Sequence, residues 1–235
     1  MKKTLIFGSA GLLARNYVES YPKNNYLFLD KRNINNFDEN NTECFRFDIE
    51  SNHDQQSLVE YCEKNEVLIE GIIFFQGINF MNNFFSVSSK EWDSTISINV
   101  KSIVFTLKYL YPYIADKCSI VVIASQNGVI GHKDRIDYGT SKAALIHLVK
   151  NLSIEFSGIK DKDIKINAVS PGYIYADKSK AYLDSPKGEI LKNKIPYKKF
   201  VLPNDVSNAV HYLMSDESKA IRGQNIILDY GYTLI

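Results

Sequence analysis

Seven short apolar runs recur along the chain: Thr4–Phe7, Tyr26–Leu29, Cys44–Phe47, Gly71–Phe75, Ser119–Ala124, Ile164–Val169 and Asn225–Leu228. They are nearly continuous rather than alternating, which suits strands buried on both faces and therefore parallel strands with helices above and below. Amphipathic segments near 12–21, 54–65, 90–114, 138–157 and 204–215 separate them and read as helices. This alternation predicts repeated βαβ units, hence an α/β, doubly wound parallel sheet of about seven strands with helices on both faces. No internal repeat or linker divides the chain, so residues 1–235 are expected to form one domain. The Asn-rich stretch from Asn33 to Asn41 reads as a solvated loop, because Asn competes with the backbone for hydrogen bonds.

Composition narrows the function classes. With 28 Lys and Arg against 27 Asp and Glu the formal charge is +1, which offers no overall field for nucleic acid, and none is expected as a partner. Hydrophobic residues at 45% and charged residues at 23% are ordinary for a folded soluble protein. Cys44, Cys62 and Cys118 form no Cys-x-x-Cys, and His53, His132, His147 and His211 have no ligand spacing, so neither a disulfide framework nor a metal site is predicted. The start, Met1-Lys2-Lys3 with an apolar run behind it, has the look of a secretory signal; Gly8, Ser9, Gly11 and Arg15 interrupt it, and it is read as structure. The uncharged stretch Gly71 to Ser89 carries Gln76, Asn79, Asn82 and Asn83, too polar for a bilayer, so a cytoplasmic protein without membrane contact is expected. Residues 96–110 and 143–156 are apolar around most of their circumference, including Ile98, Phe105, Leu148 and Ile154. This predicts a subunit interface and a homodimer or homotetramer, coverage by a loop of the same chain being the alternative.

Strand Thr4–Phe7 runs into Gly8-Ser9-Ala10-Gly11-Leu12-Leu13-Ala14 and then a helix. A glycine turn there lets backbone N–H groups approach a pyrophosphate at the helix N-terminus, which makes Gly8, Ser9, Gly11, Leu12 and Leu13 candidate dinucleotide contacts. Asp30 ends the second strand 22 residues after Gly8, near the spacing of a ribose-binding acid. A carboxylate accepts ribose hydroxyls and repels a 2′-phosphate, so NAD is preferred; Lys31 and Arg32, able to neutralise a phosphate, leave NADP open. Tyr138-Gly139-Thr140-Ser141-Lys142 opens a helix with Tyr and Lys on one face. An ammonium beside a phenol favours the phenolate, so Tyr138 is a candidate acid/base.

In company with Ser125, 13 residues before Tyr138 at the end of an apolar strand, with Asn99 in Ile98-Asn99-Val100, with Ser170-Pro171-Gly172 and with the tail Gly223 to Gly231, the sequence resembles the short-chain dehydrogenase/reductase family over essentially its whole length. The resemblance implies a Rossmann-like fold and an NAD(P)-dependent oxidoreductase that interconverts a small secondary alcohol and its carbonyl. In that family's pattern Tyr138 exchanges the proton, Ser125 binds the same substrate oxygen, Lys142 holds the nicotinamide ribose and tunes Tyr138, and Asn99 positions a relay water. The same pattern assigns Asp48 and Ile49 to the adenine, Gln76 and Gly77 to the turn after the fourth strand, and Pro171, Gly172 and Ile174 to the nicotinamide side.

Several positions depart from the pattern. Phe7 replaces a Thr, Ala14 stands where a third glycine often lies, Phe74-Phe75-Gln76-Gly77 replaces Asn-Asn-Ala-Gly, and Ala176 replaces a Thr. They motivate an alternative, a catalytically weak or inactive dinucleotide-binding or scaffold protein, though Ser125, Tyr138, Lys142 and Asn99 are all retained. The segment 175–200 occupies the place of a substrate lid. With Phe80, Phe84, Phe85, Gln126, Asn127, His132 and Tyr173 it is expected to wall a pocket that suits a polar, hydroxylated substrate.

Overall fold

The computed structural model describes residues 1–23, 25–32 and 43–235. The loop expected over Asn33 to Asn41 lies outside them. Strands β1 (Lys2–Phe7), β2 (Tyr26–Asp30), β3 (Glu43–Arg46), β4 (Leu68–Phe74), β5 (Ile114–Ile123), β6 (Asp163–Pro171) and β7 (Asn225–Leu228) form one sheet in the order β3-β2-β1-β4-β5-β6-β7. Every neighbouring pair is parallel.

Alternation along each strand explains why both faces had to be covered. Leu5 and Phe7, Leu27 and Leu29, and Ile120 and Val122 face one layer, against Leu58 of α2 (Asn52–Lys64), Leu107 of α4 (Ser102–Leu110) and Val149 of α5 (Ile136–Ser157). Ile6, Phe28 and Val121 face the other, against Tyr17 of α1 (Leu12–Ser20) and Val210 of α8 (Pro203–Met214). Polar residues on the strands' two sides would leave one layer unsatisfied, so the runs are apolar throughout.

The helix expected over 90–114 is divided. It comprises α3 (Ser89–Ile96), a π turn at Ser97–Lys101 and α4, followed by a single 3-10 turn. Ser102 supplies its hydroxyl to the Ile98 carbonyl at 2.7 Å, satisfying backbone that the wider turn displaces. Segment 175–200 contains α6 (Asp177–Leu183) and α7 (Pro186–Lys194), which proline and glycine punctuation hid in the sequence. Among the described residues no helix is long and apolar enough to cross a membrane. On the two apolar helices Ile103, Leu107, Leu145 and Val149 join the core, while Phe105 and Ile154 stay exposed and no described loop covers them.

Candidate active site

The sheet's order reverses between β1 and β4, which opens a crevice at the carboxyl ends of the strands. A cleft of about 430 Å³ lies there, lined by Gly8, Gly11, Asp30, Asp48, Ile49 and Gln76 among others. Gly8 has φ +72°, and a Cβ at this position would sit 2.6 Å from the Gln76 nitrogen, so only glycine fits the turn. Gly11 is the N-cap of α1, which has no acidic residue in its first turn to compete with an anion. Ser9 is fully buried and its hydroxyl has no partner, and neither polar atom of the buried Gln76 amide has one. A glycine cradle, a helix N-terminus and unspent polar atoms at the switch point fit a dinucleotide. Leu12 is exposed on the first turn of α1.

At the far lip, the Asp30 carboxylate accepts the Ala10 N–H at 2.9 Å, the Arg32 N–H at 2.9 Å and the Arg32 Nε at 3.1 Å. Burial pushes its pKa up, but these hydrogen bonds outweigh burial and hold it below the usual carboxylate value. Lys31 pairs with Asp48 at 2.7 Å, joining the ends of β2 and β3. Both cations that might have met a 2′-phosphate are thus engaged with carboxylates.

The candidate acid/base residues are carried by the end of β5, the π turn and the start of α5, with Lys142 and Asn99 reaching Gly77 at the cleft's margin. Asp137, fully buried in the first turn of α5, accepts Thr95 Oγ1 at 2.9 Å and Asn82 Nδ2 at 3.4 Å, which pins the helix start against α3 and sets Tyr138. Ser125 caps a 3-10 turn and accepts the Asn127 N–H at 3.2 Å. Burial pushes the Tyr138 phenol up in pKa, against the opposing effects of the nearby Ser125 hydroxyl and the Arg135 charge. Lys142, only 3% exposed, lies 5.6 Å from the Tyr138 ring centroid and donates to the Ile123 carbonyl at 2.7 Å. Its burial lowers the ammonium to a pKa of about 8.

Asn99 sits in the π turn. Its Nδ2 donates to the Ile78 carbonyl at 3.0 Å and to Ser141 Oγ at 2.9 Å, and its Oδ1 accepts the Ile78 N–H at 2.9 Å. A Cβ on Gly77 would lie 3.2 Å from Lys142 Nζ and 3.3 Å from Asn99 Oδ1, so both groups border the cleft where Gly77 lines it. Pro171 ends β6 beyond them; Gly172 donates to the Leu228 carbonyl at 2.8 Å and lies against the Gln126 side chain, and Ile174 bridges to Val201. Ala176, at the position of the missing Thr, is bonded through its N–H to Ser179 Oγ at 3.0 Å.

Some expectations change. The Phe7 and Phe74 rings, each of which in the sequence reads as a separate lost polar group, stack on one another at 4.8 Å. Phe84 and Phe85, expected in the pocket wall, are 73% and 94% exposed and pack edge-to-face on the surface. His132, which has no partner within reach in the sequence, bonds Tyr173 through Nε2 at 2.7 Å, while Nδ1 meets the Lys133 carbonyl at 2.6 Å. A carbonyl only accepts, so Nδ1 carries a proton. Tyr173 also packs edge-to-face on Tyr232 at 5.4 Å. Sequence reasoning does not reach Tyr232 or Arg135; the position of Arg135 three residues before Tyr138 is the available signal.

Comparison with known proteins agrees with this geometry. The family model described as Enoyl-(Acyl carrier protein) reductase matches residues 29–233. A 3-oxoacyl-(acyl-carrier-protein) reductase FabG of Buchnera aphidicola subsp. Schizaphis graminum is 32% identical over 178 residues, 75% of this chain and 71% of that protein. The FabG of Staphylococcus epidermidis is 32% identical over 157 residues, 66% of this chain and 63% of that protein, so the match spans slightly under two thirds of its length. In fold, the chain superposes with a TM-score of 0.87 on a 4-hydroxyisoleucine dehydrogenase complexed with NADH, at 22% identity and 99% coverage of each chain. With a parallel seven-stranded sheet, a glycine turn at the switch point and this sequence match across most of its length, the chain belongs to the short-chain dehydrogenase/reductase family of NAD(P)-dependent oxidoreductases.

Proposed function

We propose that the protein interconverts a small secondary alcohol and the corresponding ketone or aldehyde, with Tyr138 as acid/base and NAD as the preferred cofactor. The observation that carries this reading is the continuity of the two sites: Lys142 Nζ and Asn99 Oδ1 border the same glycine, Gly77, that lines the dinucleotide cleft. When bound, the nicotinamide supplies or accepts the hydride. Gly8, Ser9, Gly11 and the start of α1 hold its pyrophosphate, and Asp30 accepts from the ribose. Pro171, Gly172 and Ile174 flank the nicotinamide.

Tyr138 gives its proton to the carbonyl oxygen, or takes one from the alcohol, while Ser125 hydrogen-bonds that oxygen and stabilises the charge developing on it. Lys142 sets the field at the phenol and reaches the ribose, and Asn99 keeps the π turn and the Ile78 backbone in register beside it. NAD is favoured over NADP because Asp30 is ionised and already holds Arg32. The exposed Phe105 and Ile154 support a homo-oligomer, a dimer or a tetramer, built on those helices. Segment 175–200, with its two short helices, acts in this reading as the substrate lid.

The test is a panel of secondary alcohols and ketones assayed with both nicotinamides, together with Tyr138→Phe. Turnover is expected to fall by about 10²–10⁴-fold in the variant while NADH affinity, read by fluorescence, is retained. Unchanged turnover in Tyr138→Phe would overturn the assignment. Cofactor binding without turnover of any substrate by the wild-type protein is the outcome expected of a scaffold.

A further inference from the structure

Arg135 has no place in the reaction as derived so far, yet the chain goes to some trouble to present it. It follows Asp134, whose φ of +57° lies in the left-handed region that non-glycine residues rarely occupy. Its guanidinium is anchored by one donor, Nη1, on the Asp134 carbonyl at 2.6 Å. Its Nε is buried with no hydrogen-bond partner. The acids on either side are turned to other tasks: Asp134 accepts from Asn83 at 3.3 Å, and Asp137 from Thr95 and Asn82. Among the described residues the ion pairs are those of Lys3, Lys31, Arg32, His53 and Arg222, and none includes Arg135.

A guanidinium is always charged, and leaving one of its N–H groups buried and unpaired is unfavourable, more so than for a neutral donor. With Nη1 engaged, the edge formed by Nε and Nη2 remains, which is one of the two edges that bind a planar or tetrahedral oxyanion through parallel hydrogen bonds. Arg135 is the N-cap of α5, three residues before Tyr138, and its charge opposes the upward push of burial on both the Tyr138 and the Tyr173 phenols. Gln126, 2% exposed next to Ser125, adds a buried carbonyl oxygen without a partner, an acceptor for a substrate hydroxyl.

We propose that Arg135 is a specificity residue: it receives an oxyanion, carboxylate or phosphate, carried by the same hydroxy or oxo compound that reacts at Tyr138. The proposal rests on the alcohol–ketone reading above and goes beyond it by naming the substrate as anionic, where a neutral ester or amide would leave the Arg135 charge uncompensated. No bond is made or broken at Arg135; it orients the substrate.

Two measurements test it, and they fail separately from the enzymatic reading. In the first, the wild-type protein and Arg135→Met and Arg135→Lys are assayed on matched hydroxy acids, hydroxyalkyl phosphates and the methyl esters of the acids. The wild type is expected to favour an anionic member over its ester in kcat/KM. The preference should fall about tenfold to hundredfold in Arg135→Met, the range of a hydrogen-bonded charge pair. Arg135→Lys should recover part of it, and NADH affinity, unchanged in each variant, shows that the fold is intact. The second measurement needs no turnover: succinate, ethyl phosphate and uncharged succinamide are titrated into the NADH-loaded protein and read as thermal stabilisation. Succinate or ethyl phosphate, whichever matches the true anion, should stabilise the wild type and not Arg135→Met, with succinamide inert on both. Absence of turnover with every compound would refute the enzymatic reading, and the second measurement would then decide the anion site by itself. An ester preferred to its acid, or anions that bind Arg135→Met as well as the wild type, would overturn the proposal.

Discussion

Lys142→Met removes an ammonium that is 3% exposed and held by a single carbonyl, that of Ile123 at 2.7 Å. Its folded-state pKa of about 8 lies below the ordinary 10.5 because burial penalises the charge. Near pH 7 the protein carries that charge in both states, and the folded state bears a cost of about 3 kcal/mol, since each tenfold loss of proton affinity corresponds to about 1.4 kcal/mol. The unfolded chain binds more protons between about pH 8 and 10.5, so wild-type stability rises with pH across that window and the cost shrinks to about 1.4 kcal/mol near pH 9.5. Methionine abolishes the cost but leaves the Ile123 carbonyl without its donor, worth about 1 kcal/mol. The cofactor-free variant is therefore expected to be more stable than wild type by about 2 kcal/mol at pH 7, roughly 4–8 °C in Tm for a chain of this length. That advantage should vanish near pH 9.5, and turnover should be lost at every pH. Urea denaturation of both proteins in matched buffers measures the difference. A variant less stable than wild type at pH 7, or an advantage that does not shrink as pH rises, would refute the claim that Lys142 is held in the fold against its own solvation.

The remaining expectations follow from the cleft and its floor. Gly8→Ala forces a Cβ against the Gln76 backbone at φ +72°, and should cost about 1–3 kcal/mol in denaturation and at least tenfold in NADH affinity. Asp30→Ala frees Arg32 and deprives the Ala10 N–H of its acceptor; the NADH-to-NADPH affinity ratio should fall by tenfold or more, read by parallel fluorescence titrations. Because the folded Asp30 pKa lies below its usual value, the stability it contributes is present above pH 3.8 and lost as pH falls through the lowered value, so Asp30→Ala should flatten the acid limb of the stability profile. Phe74→Ala opens a hole beneath the cleft and should cost about 3–5 kcal/mol, measured by urea denaturation.

The strands are legible in the sequence because both-face burial demands unbroken apolar runs, and each observed strand overlaps its expected run, often extending it by a few residues. Gly8, Asp30, Tyr138 and Lys142 are legible for a different reason: spacing puts them on one turn, one strand end and one helix face, and the resemblance carried by Ser125, Asn99 and Pro171-Gly172 singles them out from chance matches. The division of residues 90–114 is not, because Ile96, Ile98, Val100 and Ile103 sustain an apolar pattern straight through the π turn, which is set by the side-chain bonds of Asn99 and Ser102. Arg135 is hidden because its presentation to the site depends on the backbone twist at Asp134, which no residue type announces. His132 and Tyr173 are both expected near the pocket from the sequence, but the bond between them is hidden, the two lying 41 residues apart.

The stacked rings of Phe7 and Phe74 make the ends of two neighbouring strands a single packing unit. A polar residue put in at one of them would leave an amide or hydroxyl facing the other phenyl without a partner, and the resulting penalty belongs to the pair rather than to either position. Any redesign of this floor therefore has to exchange both residues together.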